Sequence, residues 1–129
     1  MATLLIADDD EATRLLVRTV LEHAGHRVVE AADGAEALAA IALKRPDLVL
    51  LDLSMPAIGG PELMRTLRAG PATRSLAVAL YTAMPLDSQL RDFMEIYGIC
   101  GLVPKPSEPL AMIAAIERAL HAAYGARKR

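Results

Sequence analysis

The stretch from Asp47 to Pro56 reads DLVLLDLSMP, and its first half sets the fold class. Leu48-Val49-Leu50-Leu51 is apolar at every position, with no alternation of period two. A strand has that character when both of its faces are covered, as in a parallel sheet packed between helices. The run stops at a single acid, Asp52.

Further short apolar runs lie on either side: Leu4 to Ala7, Val28-Val29, Leu76 to Leu80 and Ile99 to Val103. Between them the periodicity turns helical. Leu15, Leu16, Val20 and Leu21 give a first apolar stripe, Ala37, Leu38 and Ile41 a second, and Leu63, Met64 and Leu67 a third. Leu90, Phe93, Met94 and Tyr97 supply a fourth, and Leu110, Ile113, Ile116 and Leu120 the last. Helix punctuation agrees. Asp33-Gly34-Ala35-Glu36 has the form of a capping box, Gly25 stops the first helix, and Pro61 suits a first helical position. Ser107 is expected to cap the last helix. Met112 and Ala119 on that helix offer a dimer face, although packed core is the commoner use of such residues. The chain is therefore expected to be α/β, with βα repeated five times, a parallel sheet, right-handed crossovers and helices on both faces.

At 129 residues there is room for one core, here assigned to residues 1–123, with 124–129 as a tail or the start of a linker. Hydrophobic residues at 53% and charged residues at 23% indicate a globular chain. A formal net charge of -2 gives no general attraction to nucleic acid or to anionic membrane, and Arg127-Lys128-Arg129 reads as a solvated tail. No apolar run approaches the ~20 residues that span a bilayer, and Thr3 to Ala7, a short apolar run ending in three aspartates, does not read as a signal peptide. Cys100 is the single cysteine, so no internal disulfide forms, and a cytoplasmic setting is expected. Its position suggests a small buried apolar residue rather than a reactive thiol. His23, His26 and His121 fall near element ends and read as surface histidines.

In open parallel sheets, ligands bind beyond the carboxyl ends of the strands. The first strand ends there in Asp8-Asp9-Asp10, the third in Asp52, the fourth in Thr82-Ala83 and the fifth in Lys105-Pro106. The second ends in Glu30-Ala31-Ala32, with no obvious chemistry. Gathered carboxylates repel, and a hard divalent cation such as magnesium, which takes oxygen ligands, resolves the repulsion. A lysine and a hydroxyl opposite the ion would complete a cradle for phosphoryl oxygens. Asp10 alone is most simply a helix cap. Lys105 stands out because the chain has only three lysines, and Lys44 and Lys128 look like a helix-end and a tail residue.

Taken together, Leu4 to Asp9, Asp47 to Pro56, Gly59-Gly60, Tyr81-Thr82-Ala83 and Lys105-Pro106 resemble the receiver domain of two-component response regulators, over residues 3 to 123. The resemblance implies a flavodoxin-like (βα)5 fold with strand order 2-1-3-4-5, which leaves Pro104 on an edge strand where proline is tolerated. It implies that Asp52 accepts a phosphoryl group from a phosphohistidine of a sensor histidine kinase or histidine phosphotransfer protein. Asp9 and Asp52 would ligate Mg2+ directly, Asp8 mainly through water, and Ser54 through its backbone carbonyl. Thr82 and Lys105 would each hold a phosphoryl oxygen, Ala83 would keep the approach open, and the Lys105-Pro106 bond would be cis. Ser54 and Met84 would modulate the lifetime of the phosphoryl group. Gly60 would let the loop after Asp52 turn tightly. Output would pass to an unidentified downstream protein, with a possible homodimer and no direct binding of nucleic acid or membrane.

Other classes fit less well. An aspartyl-nucleophile phosphatase would carry an acid where Ser54 stands, and the length leaves no room for a cap domain. A flavin carrier is disfavoured by 3% aromatics and the lack of a phosphate loop after the first strand. The histidines form neither a Ser/His/Asp set nor a metal set. The remaining rival is a docking or dimerisation module that works irrespective of phosphorylation.

One residue departs from the family pattern. Three residues before Lys105, where Tyr or Phe is common, stands Leu102, which has neither ring nor hydroxyl to report on Thr82. The surface of the fourth helix, fifth strand and fifth helix is therefore expected to respond weakly, or through backbone shifts. Amide chemical shifts with and without beryllofluoride check this. Small changes around Leu102 are expected, and a large rearrangement centred there would contradict it.

Overall fold

The structure is a computed structural model that describes residues 1–55 and 59–125. Pro56 and the basic cluster Arg127-Lys128-Arg129 lie outside those residues. Strands β1 (Thr3–Ala7), β2 (Arg27–Ala31), β3 (Leu48–Leu51), β4 (Val78–Thr82) and β5 (Gly101–Pro104) alternate with helices. These are α1 (Glu11–His23), α2 (Gly34–Leu43), α3 (Gly60–Ala69), α4 (Ser88–Tyr97) and α5 (Pro109–Tyr124). All strand pairs are parallel, in the order β2-β1-β3-β4-β5. The expected fold is the observed one.

The unbroken apolar runs have a simple cause. Leu4 and Ile6 of β1 and Leu48 and Leu50 of β3 face one core with Val17, Val20 and Leu21 of α1 and Ile116 of α5. Their neighbours Leu5, Ala7, Val49 and Leu51 face a second core with α2, α3 and α4. Successive strand residues point to opposite faces, so a central strand covered twice must be apolar throughout. Pro104 sits on the edge strand β5, where it is paired on one side only with Thr82.

Several local expectations need correction. In α1 the buried residues are Val17, Val20 and Leu21, whereas Leu15 and Leu16 are 62% and 51% exposed. The stripe follows the i, i+3, i+4 spacing from Val17, which turns Leu15 and Leu16 outward. Leu110 of α5 is likewise exposed, and Met112, Ala115, Ile116 and Ala119 are buried. Met112 and Ala119 thus belong to the core and are not available as a dimer face. Small residues are needed there because a Cβ on Gly101 would stand only 2.9 Å from that of Ala119. Gly60 serves close approach rather than turning. Its φ is not positive, and a Cβ there would meet the Leu53 Cα at 2.5 Å.

Among the caps, Asp10, Asp33 and Asp87 accept from the backbone N–H of Thr13, Glu36 and Leu90 respectively. Glu36 reaches back to the Ala32 N–H, completing the box one residue further out than expected. Ser107 does not cap α5. The cap position is Glu108, without a side-chain bond, and the Ser107 hydroxyl donates to the Pro104 carbonyl.

His26 is buried, not a surface residue, while His23 and His121 are exposed as expected. Its Nδ1 accepts from the Ala2 N–H, so the proton sits on Nε2 and is donated to Glu117 Oε2 at 2.9 Å. Cys100 is half-buried against the α1/α5 core, and burial pushes its thiol pKa up, as befits an unreactive cysteine. Residue 123, the expected end of the domain, falls inside α5, whose last residue Tyr124 donates its hydroxyl to the Asp47 carbonyl. No helix among the described residues is long and apolar enough to cross a membrane.

Candidate functional site

The carboxyl edge of the sheet gathers the residues singled out above. β1 delivers Asp8 and Asp9, β3 delivers Asp52, β4 ends in Thr82, and β5 leads directly into Lys105, whose bond to Pro106 is cis. Asp8 and Asp52 are 0% and 4% exposed, Thr82 is buried, and Asp9 is exposed. Asp8, Asp9 and Asp52 each offer a carboxylate oxygen, and these oxygens lie within 4.8 Å of one another. Asp10 stands apart from this set as the α1 cap.

Each buried acid is held by specific donors. Lys105 Nζ donates to Asp8 Oδ2 at 2.7 Å and stands 3.5 Å from Asp52 Oδ2. The Asp10 N–H donates to Asp8 Oδ1 at 2.9 Å. Asp52 Oδ1 accepts from both the N–H and the hydroxyl of Ser54, at 3.1 and 2.9 Å. Among the described residues, Oδ2 of Asp52 has only the longer contact with Lys105 and is the less engaged oxygen. Thr82 Oγ1 accepts from the Met84 N–H at 3.0 Å, which leaves its own proton to donate elsewhere. Ala83, which carries only a methyl group, is exposed beside Thr82.

Lys105 is the electrostatic hinge of the cluster. Burial by itself would lower its pKa, but the hydrogen bond it donates to Asp8 and the charges of Asp52 and Asp8 outweigh it, and the net shift is upward. The ammonium also lies 4.9 Å from the centroid of the Tyr81 ring. Burial raises the Tyr81 hydroxyl pKa, with Lys105 opposing. Three carboxylates nevertheless face one ammonium. The donor set is all oxygen, compact and anionic, and it fits a hard divalent cation of the magnesium kind.

Two participants, Arg14 and Glu30, carry no signal in the sequence. Arg14 Nη1 donates to the Asp8 carbonyl at 2.8 Å, and its Nε donates to Glu30 at 3.0 Å. Glu30 lies near the end of a strand with no expected chemistry, and α1 periodicity gives no reason to pair it with Arg14. For Ser54, already expected at the site, the turn geometry adds a hydroxyl bond to Asp52.

A doubly wound parallel sheet that presents clustered acids, a threonine and a lysine at its carboxyl edge defines a class, that of receiver-type signalling domains. The chain belongs to the family of response regulator receiver domains, which it matches over residues 4–117. It is 31% identical over 118 residues to the phosphate regulon transcriptional regulatory protein PhoB of Pseudomonas aeruginosa, covering 92% of this chain and 51% of that protein. It is 47% identical over 118 residues to the response regulator MprA of Mycobacterium sp. strain KMS, covering 89% and 50%. The structure superposes on chemotaxis protein CheY4 of Vibrio cholerae with a TM-score of 0.85 at 28% identity, covering 92% of this chain and 98% of that one. The chain spans about half the length of the first curated relatives it matches. Family membership sets aside the phosphatase and flavin-carrier readings, and it does not favour a pure docking module.

The charge imbalance has a measurable consequence. Asp52→Asn keeps an acceptor for Ser54 while removing one of the three clustered charges. In chelator it is expected to stabilise the fold by roughly 1 kcal/mol, or about 4 °C in Tm. A calorimetric Tm equal to or below that of the wild type would contradict it.

Proposed function

We propose that Asp52 is the phosphoacceptor of this receiver domain, taking its phosphoryl group from a phosphohistidine on a sensor histidine kinase or histidine phosphotransfer protein. The observation that carries this reading is the environment of Asp52. The residue is buried, Ser54 fixes one of its oxygens, and the other faces the Lys105 ammonium.

A carboxylate is a weak nucleophile, so alignment and charge neutralisation must do most of the work. Ser54 fixes the carboxylate plane and leaves Oδ2 to attack phosphorus in line with the departing imidazole nitrogen. The O–P bond forms as the P–N bond breaks. Lys105 would turn from the two carboxylates to an incoming phosphoryl oxygen, and the Thr82 hydroxyl would donate to another. Mg2+ would be held by Asp9 and Asp52, by Asp8 mainly through water, and by the Ser54 carbonyl. When bound, it would neutralise the acids and draw the phosphoryl oxygens into the cluster. Signalling would follow through altered contacts with a downstream protein in the cytoplasm, with no direct contact to nucleic acid by this domain.

Incubation with acetyl phosphate and Mg2+, followed by intact-mass measurement, tests the proposal. Wild-type protein is expected to gain one phosphoryl mass and Asp52→Ala none. No gain by the wild type, or equal labelling of the variant, would sink it.

A further inference from the structure

The turn between β1 and α1 is held from an unexpected direction. Every polar atom of Asp8 has a partner. Its N–H donates to the Ala31 carbonyl at 3.1 Å, and its own carbonyl accepts from Arg14 Nη1 at 2.8 Å. Its carboxylate oxygens accept from the Asp10 N–H and from Lys105. Two of these restraints lead back to the end of β2, Ala31 directly and Glu30 through Arg14.

Arg14 is itself braced. Its side chain is only 14% exposed, its Nε donates to Glu30 Oε1, and the other Glu30 oxygen accepts from Arg18 Nη1 at 3.0 Å. Arg18 above all, with Arg14 adding to it, holds the Glu30 carboxyl below its ordinary range despite partial burial. A guanidinium is a rigid fork that can serve two acceptors at once, here a carboxylate and a loop carbonyl. An exposed helix-to-strand ion pair would contribute little. This pair is largely covered, and it spends one donor on the backbone of the most deeply buried acid in the site.

We propose that Arg14 is a positioning residue: braced by Glu30, it clamps the Asp8 carbonyl and so holds the acidic turn in the arrangement that takes a divalent cation. The inference rests on the cation-binding reading of Asp8, Asp9 and Asp52 given above. It assigns β2 a part in the site, although β2 contributes no group to the carboxylate cluster. The sign of the effect separates clamping from simple charge. As a mere nearby cation, Arg14 would repel Mg2+, and its removal would tighten binding. As a clamp, its removal loosens the turn and weakens binding.

The test is titration of Mg2+ into the chain, followed by calorimetry, for wild type, Arg14→Ala, Arg14→Lys and Arg18→Ala. Amide hydrogen exchange at Asp8, Asp9 and Asp10 is measured in parallel in chelator. Arg14→Ala is expected to weaken Mg2+ binding about tenfold, the scale seen when a group supporting a metal ligand is lost. Its Asp9 and Asp10 amides should exchange faster even without metal. Arg14→Lys, which can reach only one of the two acceptors, should fall between, and serves if the alanine variant does not fold. Arg18→Ala touches the same Glu30 but not Asp8, and should stay within about twofold of wild type. Unchanged or tighter binding by both Arg14 variants, or an equal loss in Arg18→Ala, would overturn this inference alone. A wild-type chain that takes up no Mg2+ would overturn the cation-binding reading and this inference with it.

Discussion

Lys105 holds two carboxylates, Asp8 and Asp52, that are almost wholly withdrawn from water. Removing an ionised carboxylate from solvent costs several kcal/mol unless charge and hydrogen bonds compensate. Here the compensation is local: one ammonium between the acids, backbone N–H donors from Asp10 and Ser54, and the Ser54 hydroxyl. It is also incomplete, because exposed Asp9 adds a third negative charge beside them. A site left short of positive charge is ready for a cation and for a group whose oxygens need one. The same shortage is a standing cost to the fold, which is how functional sites often trade stability for chemistry.

The rest of the structure serves to bring those groups to one edge. β1 and β3 lie side by side in the sheet, so the acids that follow them emerge together. Their apolar residues are divided between two cores, one on each face of the sheet. β5, at the sheet edge, pairs through Thr82 and Pro104 and then hands Lys105 across the top, where the Lys105 N–H bonds the Thr82 carbonyl. Close packing supports this placement. Gly101 lets α5 settle on β5 through Ala119, and Gly60 lets α3 approach the backbone that follows Asp52. Arg14 and Glu30 reach the same turn from the side of β2.

Much of this was legible in the sequence, for reasons that differ by residue. Leu48 to Leu51 announced a doubly covered strand, because burial on both faces leaves no polar position. Asp8, Asp9, Asp52, Thr82 and Lys105 were visible as polar groups ending apolar runs, since topology alone puts such ends on one edge. Leu15 and Leu16 were misassigned because consecutive leucines fit several stripes, and only the packing of α1 against β1 and β2 selects Val17, Val20 and Leu21. His26 was misread because its partners, the Ala2 N–H and Glu117, lie 24 and 91 residues away. Arg14 and Glu30 stayed hidden for the same reason. A side chain that bonds a loop carbonyl leaves no periodic trace, and a charged pair across α1 and β2 looks in sequence like two solvated residues.

The decisive event would be the arrival of a cation and a phosphoryl-like group at the acidic cluster. A crystal structure of the chain grown with Mg2+ and beryllofluoride measures this most directly. It should show the beryllium joined to Asp52, a cation among Asp8, Asp9 and Asp52, and the Thr82 hydroxyl and Lys105 ammonium on separate fluorines. Beryllofluoride absent from Asp52 or bound to another carboxylate, with Lys105 still resting on Asp8, would contradict the account at its centre.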